Sequence, residues 1–286
     1  MTNYPVDLHL HSTASDGRLS PTELVALAGQ KKMQVIALTD HDTTDGLDEA
    51  LTAAERHQIT VVPGIEFSIR HEAQKGFIGI HLLGYFIDHH QPALAAAVKK
   101  VQAGRLEQKI KQIEILQSFG FDIPVEAVLA RVAGVPGRPH IAAVLLERHP
   151  ARFGSIQQVF DEYLGVNKKA HVGRSFALTM AEAAALISQA GGWSVLAHPG
   201  VYKTGVRLKT LLENAVVAGV KGVEVFYPYS DPRQVKAVEV IADLLKLPKT
   251  GGTDFHGRPQ ETIQPGDVGI TMAEFETIRK IVAQEL

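Results

Sequence analysis

Val6-Asp7-Leu8-His9-Leu10-His11, followed at once by Ser12-Thr13-Ala14-Ser15-Asp16-Gly17, is the stretch on which the fold and chemistry of this chain turn. Apolar and polar residues alternate strictly through VDLHLH. In an extended strand successive side chains point to opposite faces. Val6, Leu8 and Leu10 therefore share one face, and Asp7, His9 and His11 the other. A half-buried edge strand with a wet outer face explains the alternation, but Thr, Lys or Glu serves such a face as well as two imidazoles and a carboxylate. Metal binding explains the residue types too, and the rest of the chain decides between the two.

With 286 residues, 45% of them hydrophobic, and a formal net charge of −2, the chain has room for one large domain or a barrel with an insertion. The near-neutral balance gives no general attraction to a membrane or to long duplex nucleic acid, so recognition of phosphate is expected to be local. The absence of cysteine excludes disulfides, thiolate metal sites and cysteine nucleophiles. It agrees with a reducing compartment. No basic lead with an apolar segment opens the chain and no apolar run reaches transmembrane length, so a cytoplasmic protein is expected. No protein partner is inferable.

Short apolar or alternating runs bounded by turn residues predict strands at 5–11, 34–40, 59–67, 77–86, 193–198, 221–227 and, most weakly, 248–254. Helical patterns fall between most of them, at 20–32, 43–57, 208–219, 231–246 and 272–285. The first has Ser20 as N-cap, Pro21 in the first turn and Glu23 at the capping-box position. Alternating strands and helices predict a parallel α/β architecture, most simply a barrel. From 91 to 190 the rhythm breaks, and helix is expected throughout, with Ile110, Ile113 and Leu116 on one face, Gly120 as a stop, and further helices at 124–133, 139–149, 155–164 and 179–190. The expected organisation is thus a barrel formed by 1–90 and 191–286, with 91–190 as an all-helical insertion.

Histidines and carboxylates fall at the ends of these strands. His9 and His11 end the first, LTDHD puts Asp40, His41 and Asp42 just past the second, and Glu66 ends the third. His81 lies within the fourth, His198 ends the fifth, and Asp254 and His256 follow the seventh. In a parallel barrel such ends converge on one face, where catalytic residues gather. Alone, each has an ordinary explanation: a structural histidine, an Asx-capped turn at TDHD, a capping or salt-bridging carboxylate. Together they fit that explanation poorly, because six imidazoles and several carboxylates in one mouth repel one another and are costly to desolvate without cations between them. The other seven of the 13 histidines lie in helices or connections and, His140 excepted, read as structural or surface residues.

DLHLHSTASDG, LTDHD, GIEF, AHPG and GTDFH resemble, in order, the motifs of the PHP (polymerase and histidinol phosphatase) family across 1–90 and 190–257. The resemblance implies a distorted (β/α)7 barrel similar to amidohydrolases, with a trinuclear metal centre. Carried over by motif, His9, His11, Glu66 and Asp254 hold a first metal, and Glu66 bridges to a second that His81 and His198 also bind. Asp16, His41 and His256 bind the third. Many relatives have His where this chain has Asp16, so the third site is harder here and looser. The early Asp16, the helical insertion and GRPHIA (137–142) resemble the bacterial subgroup of 3′,5′-nucleotide bisphosphate phosphatases and 5′-to-3′ exoribonucleases.

An all-nitrogen-and-oxygen ligand set favours Mn²⁺ over Fe²⁺ or Zn²⁺. Two or three such ions, roughly 3.5–4 Å apart, clamp an in-line phosphoryl displacement by an acidified water held through Glu66, His198 and Asp254. Asp7 and Asp40 stand beside ligands and are placed to orient imidazoles, with a turn cap the alternative for Asp40. For substrate, Arg138 is the first phosphate-binding candidate and His140 shares its motif; Arg105 and Lys169 are weaker, since surface cations usually just keep a helix wet. Tyr227 either stacks on a base or packs. No residue stands out as the general acid, and the oligomeric state is not legible. The expected activity is removal of the 3′-phosphate from a pAp-like nucleotide. The rivals are a 5′-to-3′ exoribonuclease on short 5′-phosphorylated RNA, a histidinol phosphate phosphatase and a non-catalytic binding module. No strand-end lysine supports amide-ring hydrolysis, and no Walker motif or GxGxxG supports an NTPase or dinucleotide site.

Overall fold

Strand follows strand in chain order around the molecule. In the computed structural model, which describes residues 4–132, 134–202, 205–258 and 261–285, β1 (Val6–Leu10), β2 (Val35–Leu38), β3 (Thr60–Ser68), β4 (His81–Tyr85), β5 (Trp193–Leu196), β6 (Gly222–Phe226) and β7 (Lys249–Gly251) form one seven-stranded sheet in the order β1 to β7. The segment after β7 returns to β1: Leu10 bridges Phe255 in parallel, and the His11 N–H donates to the Phe255 carbonyl at 3.0 Å. The sheet therefore forms a nearly closed barrel. Closure needs glycine at 252, where a Cβ would lie 2.5 Å from both the backbone N and the Cβ of His9.

The helices are α1 (Pro21–Gln30), α2 (Leu47–His57), α3 (Pro92–Ser118), α4 (Val125–Leu129), α5 (Arg138–Arg148), α6 (Ile156–Val159), α7 (Met180–Gln189), α8 (Leu208–Val217), α9 (Pro232–Leu245) and α10 (Met272–Glu285). α1 starts with the expected capping box: Ser20 Oγ accepts from the Glu23 N–H, and a Glu23 oxygen accepts from the Ser20 N–H. Thr43–Gly46, expected as helix, is instead a turn leading to α2.

The sheet is not all parallel. β4 runs antiparallel to both β3 and β5. Parallel neighbours need a crossover, usually a helix, and residues 69–80 supply only a single 3-10 turn at Ala73–Lys75. The reversal brings the amino end of β4, His81, to the mouth where the other strands present their carboxyl ends.

The expectation of helix throughout 91–190 fails over 165–179, which is irregular. Gly165 and Gly173 disfavour helix there, and the Gly165 N–H closes on the Phe160 carbonyl at 2.8 Å to end the preceding turn.

Among the described residues, three apolar cores form. One joins Ile36, Leu38, Ile65, Phe67, Leu82, Val223 and Val225 of the strands to α1, α2, α7, α8 and α9, and it also takes Leu94, Val98 and Val101 from the start of α3. A second joins Val6, Leu8, Leu83, Trp193 and Val195 to Phe275, Ile278 and Val282 of α10. The third lies within the helical segment, among Ile113, Leu116, Ile123, Val128, Ile141, Leu145, Phe153 and Leu164. Among the described residues, no helix is long and apolar enough to cross a membrane.

Candidate metal centre and phosphate cleft

Strand parity aims the first carboxylate. Ile65 and Phe67 face the helix-covered core, so Glu66 between them points to the opposite side of the sheet. It is fully buried and stands at the centre of the histidines. Its Oε1 meets His81 Nδ1 at 2.8 Å and His198 Nε2 at 3.2 Å. Its Oε2 lies 2.7 Å from His41 Nδ1, 3.3 Å from His11 Nε2 and 3.4 Å from His9 Nε2. Asp254 Oδ1 lies 3.0 Å from His11 Nε2 and 3.4 Å from His9 Nε2. On the outer side, Asp16 Oδ1 is 3.2 Å from His256 Nε2 and 3.9 Å from His41 Nε2. All nine residues expected at the centre thus meet in one continuous cluster.

Glu66 Oε1 is hydrogen-bonded to His81 and His198, but the contacts of Glu66 Oε2, Asp254 Oδ1 and Asp16 Oδ1 are close without being hydrogen-bonded. His9 Nε2, His11 Nε2, Asp16 Oδ1, His41 Nδ1, Glu66 Oε2, Asp254 Oδ1 and His256 Nε2 are all buried and lack a hydrogen-bond partner among the described residues. Converging buried lone pairs with no proton between them are costly. Divalent cations relieve that cost, and the donors group as such ions require: His9, His11, Glu66 and Asp254; His11, Asp16, His41 and His256; and His41, Glu66 and His81. The residues fit the group.

The electrostatics show the same tension. Burial works against an ionised Glu66, but His41, His81 and His9 outweigh it and hold the carboxyl well below its usual range. Burial likewise opposes charge on Asp254, and His9 and His256 overcome it. His11 is pushed down to about 3 by burial and by His256 and His41. His256 is raised to about 8 because Asp16 and Asp254 outweigh its burial. The backbone is strained at the same mouth: Asp42, His198 and Asp254 have φ of 58°, 29° and 51°, values that non-glycine residues hold only where the surroundings enforce them.

The carboxylate that orients His9 is Glu224 of β6, which the sequence reading did not single out. His9 Nδ1 lies 3.0 Å from Glu224 Oε1, and the same carboxylate accepts from the His198 backbone N–H at 2.9 Å. Asp7 and Asp40 do other work. Asp7 accepts from the N–H groups of His9, Thr253 and Gly266 and from the Thr253 hydroxyl. Asp40 accepts from the Ser12 N–H and from the hydroxyls of Ser12 and Ser15. Each carboxylate fixes loops around the ligands rather than an imidazole. Tyr227 packs its ring 4.8 Å from His198 and donates its hydroxyl to Asp254 Oδ2 at 2.7 Å, which leaves Oδ1 facing the histidines.

The helical segment supplies cations above the cluster. Asp42 binds Arg105 of α3 at 2.8 Å and Arg174 of the irregular 165–179 segment at 2.9 Å. Arg105, Lys109, Arg138, Arg174 and Arg258 line the mouth together with Asp16, His41, His81, His198, Asp254 and His256. A second chamber adjoins it, sharing Lys109, Arg138 and Arg174 and adding Arg70, His71 and His171. Among the described residues, no carboxylate lines that chamber. Lys109 is buried there and held well below its usual value by burial and by Arg105, Arg174 and Arg138.

Two expected contacts point elsewhere. His140 Nδ1 accepts from the Gly137 N–H at 2.9 Å, capping α5, and Lys169 lies over the Tyr163 ring, 5.0 Å from its centre. Neither lines the mouth or the adjoining chamber. Lys109, Arg174 and Arg258 were not anticipated.

A family model described as PHP domain matches residues 7–173. The chain is 33% identical to a 3′,5′-nucleoside bisphosphate phosphatase of Chromobacterium violaceum over 283 residues, covering 96% of this chain and 93% of that protein. It is 34% identical to a 5′-3′ exoribonuclease of Haemophilus influenzae over 251 residues, covering 87% of this chain and 89% of that one. A solved amidohydrolase from Chromobacterium violaceum, with sulfate bound and no metal, superposes with a TM-score of 0.86 at 31% identity, over 98% of this chain and 96% of that one.

Proposed function

This chain belongs to the PHP domain family, and from that premise we propose that it removes the 3′-phosphate from small nucleotides bearing two separate phosphates. As a member it is a metal-dependent hydrolase of phosphoester bonds. His9, His11, Glu66 and Asp254 would hold one ion, Glu66 with His81 and His198 a second, and Asp16, His41 and His256 a third. Mn²⁺ suits this hard-to-borderline donor set. Bound there, divalent ions supply Lewis-acid polarisation of phosphoryl oxygen and acidify water towards neutrality.

The chain's own residues bind and orient. Glu224 fixes the His9 ring so that Nε2 faces the cluster. Asp42 holds Arg105 and Arg174 above it, where guanidinium groups grip phosphoryl oxygens in pairs. The chamber beside the mouth carries the substrate reading: Arg70, His71, Lys109, Arg138, His171 and Arg174 surround it with no carboxylate among the described residues, and a second phosphate gives an anionic partner to buried Lys109, whose ammonium donates to the Gln108 and Gln112 side-chain oxygens. The amine of histidinol phosphate would meet Arg70, Lys109, Arg138 and Arg174 there and no described carboxylate. A phosphate of short RNA fits the same chamber, and the exoribonuclease relative favours that as the second reading.

The test is phosphate release from the Mn-loaded enzyme on adenosine 3′,5′-bisphosphate, histidinol phosphate and a short 5′-phosphorylated RNA. The bisphosphate is expected to be turned over fastest. Equal rates on all three contradict the assignment, and RNA turned over fastest selects the second reading.

A further inference from the structure

Away from the mouth, Asp48 of the first turn of α2 faces two consecutive histidines, His89 and His90, in the turn that leads into α3. His89 Nε2 lies 2.8 Å and His90 Nε2 3.3 Å from the same oxygen, Asp48 Oδ1. The rings are 4.0 Å apart at their centres. The His89 side chain is only 11% exposed, whereas those of His90 and Asp48 are open to solvent at 69% and 71%.

An ordinary ion pair explains one imidazole and leaves the second unexplained. Two protonated rings this close repel each other, so the second ring gains little from charge. Consecutive residues also seldom aim side chains at a common point unless the turn is built for it. Here it is: the Asp88 carbonyl accepts from the Gln91 N–H at 3.1 Å, and Asp88 Oδ1 accepts from the His90 N–H at 3.0 Å. The spacing has its own meaning. Zn–N and Zn–O bonds of about 2.0–2.1 Å in a tetrahedral site put neighbouring donor atoms roughly 3.3 Å apart, which the His90–Asp48 separation matches, whereas His89 and Asp48 stand at hydrogen-bond distance and would open by about half an ångström around an ion.

We propose that Asp48, His89 and His90 form a peripheral divalent-cation site, separate from the barrel mouth, that takes a zinc-class ion on two imidazole nitrogens and one carboxylate oxygen. The donor set is borderline and leaves a position open to water. The site lies on the seam between α2 and the lead into α3; nearby, α3 itself is joined to the loop before α2 by Gln102 to Asp45 at 3.4 Å and by Arg105 to Asp42 at 2.8 Å. An ion here braces α3, which carries Arg105 and Lys109 to the cleft, against the barrel.

Zinc bound per chain is measured by equilibrium dialysis of the Mn-loaded enzyme, wild type beside His90→Ala and Asp48→Asn. Both changes are at exposed side chains, so folding is not at risk, and any zinc that enters the main centre is common to all three proteins. The wild type is expected to bind one more zinc than either variant and to be the only one whose melting temperature zinc raises through this site, with Mn-supported turnover equal in all three. Equal zinc counts in wild type and variants overturn the proposal.

Discussion

Glu224 lies between Val223 and Val225, which face the helix-covered core, so its carboxylate is turned towards the histidines, where it is almost completely buried. It accepts from His9 Nδ1 and from the His198 N–H at once, and so sets both the tautomer of one ligand and the turn that presents another. Glu224→Gln is expected to lower metal affinity and turnover by about 10–100-fold while circular dichroism stays native; unchanged metal content would show that His9 is oriented by something else. Arg174 has a different part. Arg174→Ala is expected to raise KM by roughly tenfold or more and to leave kcat nearly intact, since it grips ground state and transition state alike. His198→Ala is expected to do the reverse, abolishing turnover. The motif residues were legible because His, Asp and Glu repeat at strand ends, a pattern visible without knowing the contacts. Glu224 was not, because a lone glutamate in KGVEVFY reads as the wet face of a strand, and its partner His9 is 215 positions away. Lys169 and His140 misled because a positive or titratable side chain in the right segment carries no record of its direction.

At the scale of elements, the antiparallel β4 is what brings His81 to the mouth, and the alternation of apolar residues in FIGIHLLGYF is the same whichever way a strand runs. Direction was set by the missing crossover helix, a feature of the 69–80 connection rather than of the strand. The irregular 165–179 segment is held by close backbone packing: a Cβ on Gly104 of α3 would lie 2.6 Å from the Phe176 carbonyl oxygen. Gly104→Ala is therefore expected to shift the segment that carries Arg174 and raise KM several-fold with little change in kcat; an unchanged KM would show that Arg174 does not depend on this contact. His71 and His171, which both line the chamber beside the mouth, stack with ring centres 6.1 Å apart. Burial first, then His171, Arg138 and Arg174, lowers the pKa of His71, and burial, Arg138 and Lys109 lower that of His171. An entering dianion favours the protonated form of both rings, so binding takes up protons. Relative to the double variant His71→Ala/His171→Ala, the wild-type KM is expected to fall as pH drops from about 7 to 5. Parallel pH profiles for the two proteins would remove these histidines from substrate binding.

For the whole molecule, the barrel cores and the third apolar core fold around a cluster whose buried lone pairs are unmatched without cations, so metal binding and stability are linked. Ions that bind the folded chain and not the unfolded one add about 2.7 kcal/mol per site at a hundredfold excess over Kd. Chelation is therefore expected to lower the melting temperature and abolish activity together, and Mn²⁺ to restore both. The barrel itself was legible in the order of strands and helices, since each segment kept its own periodicity. Arg138 and Arg105 were legible as phosphate candidates, but the approach of Lys109 and Arg174 over the mouth was not, since it arises from how the third core sits on the first two. The most direct measurement is anomalous diffraction at the manganese edge from crystals of the Mn-loaded protein. Peaks are expected among His9, His11, Glu66 and Asp254, beside His81 and His198, and among Asp16, His41 and His256. A map without a peak at any of these positions, from protein that hydrolyses phosphoesters in the same solution, would contradict the account.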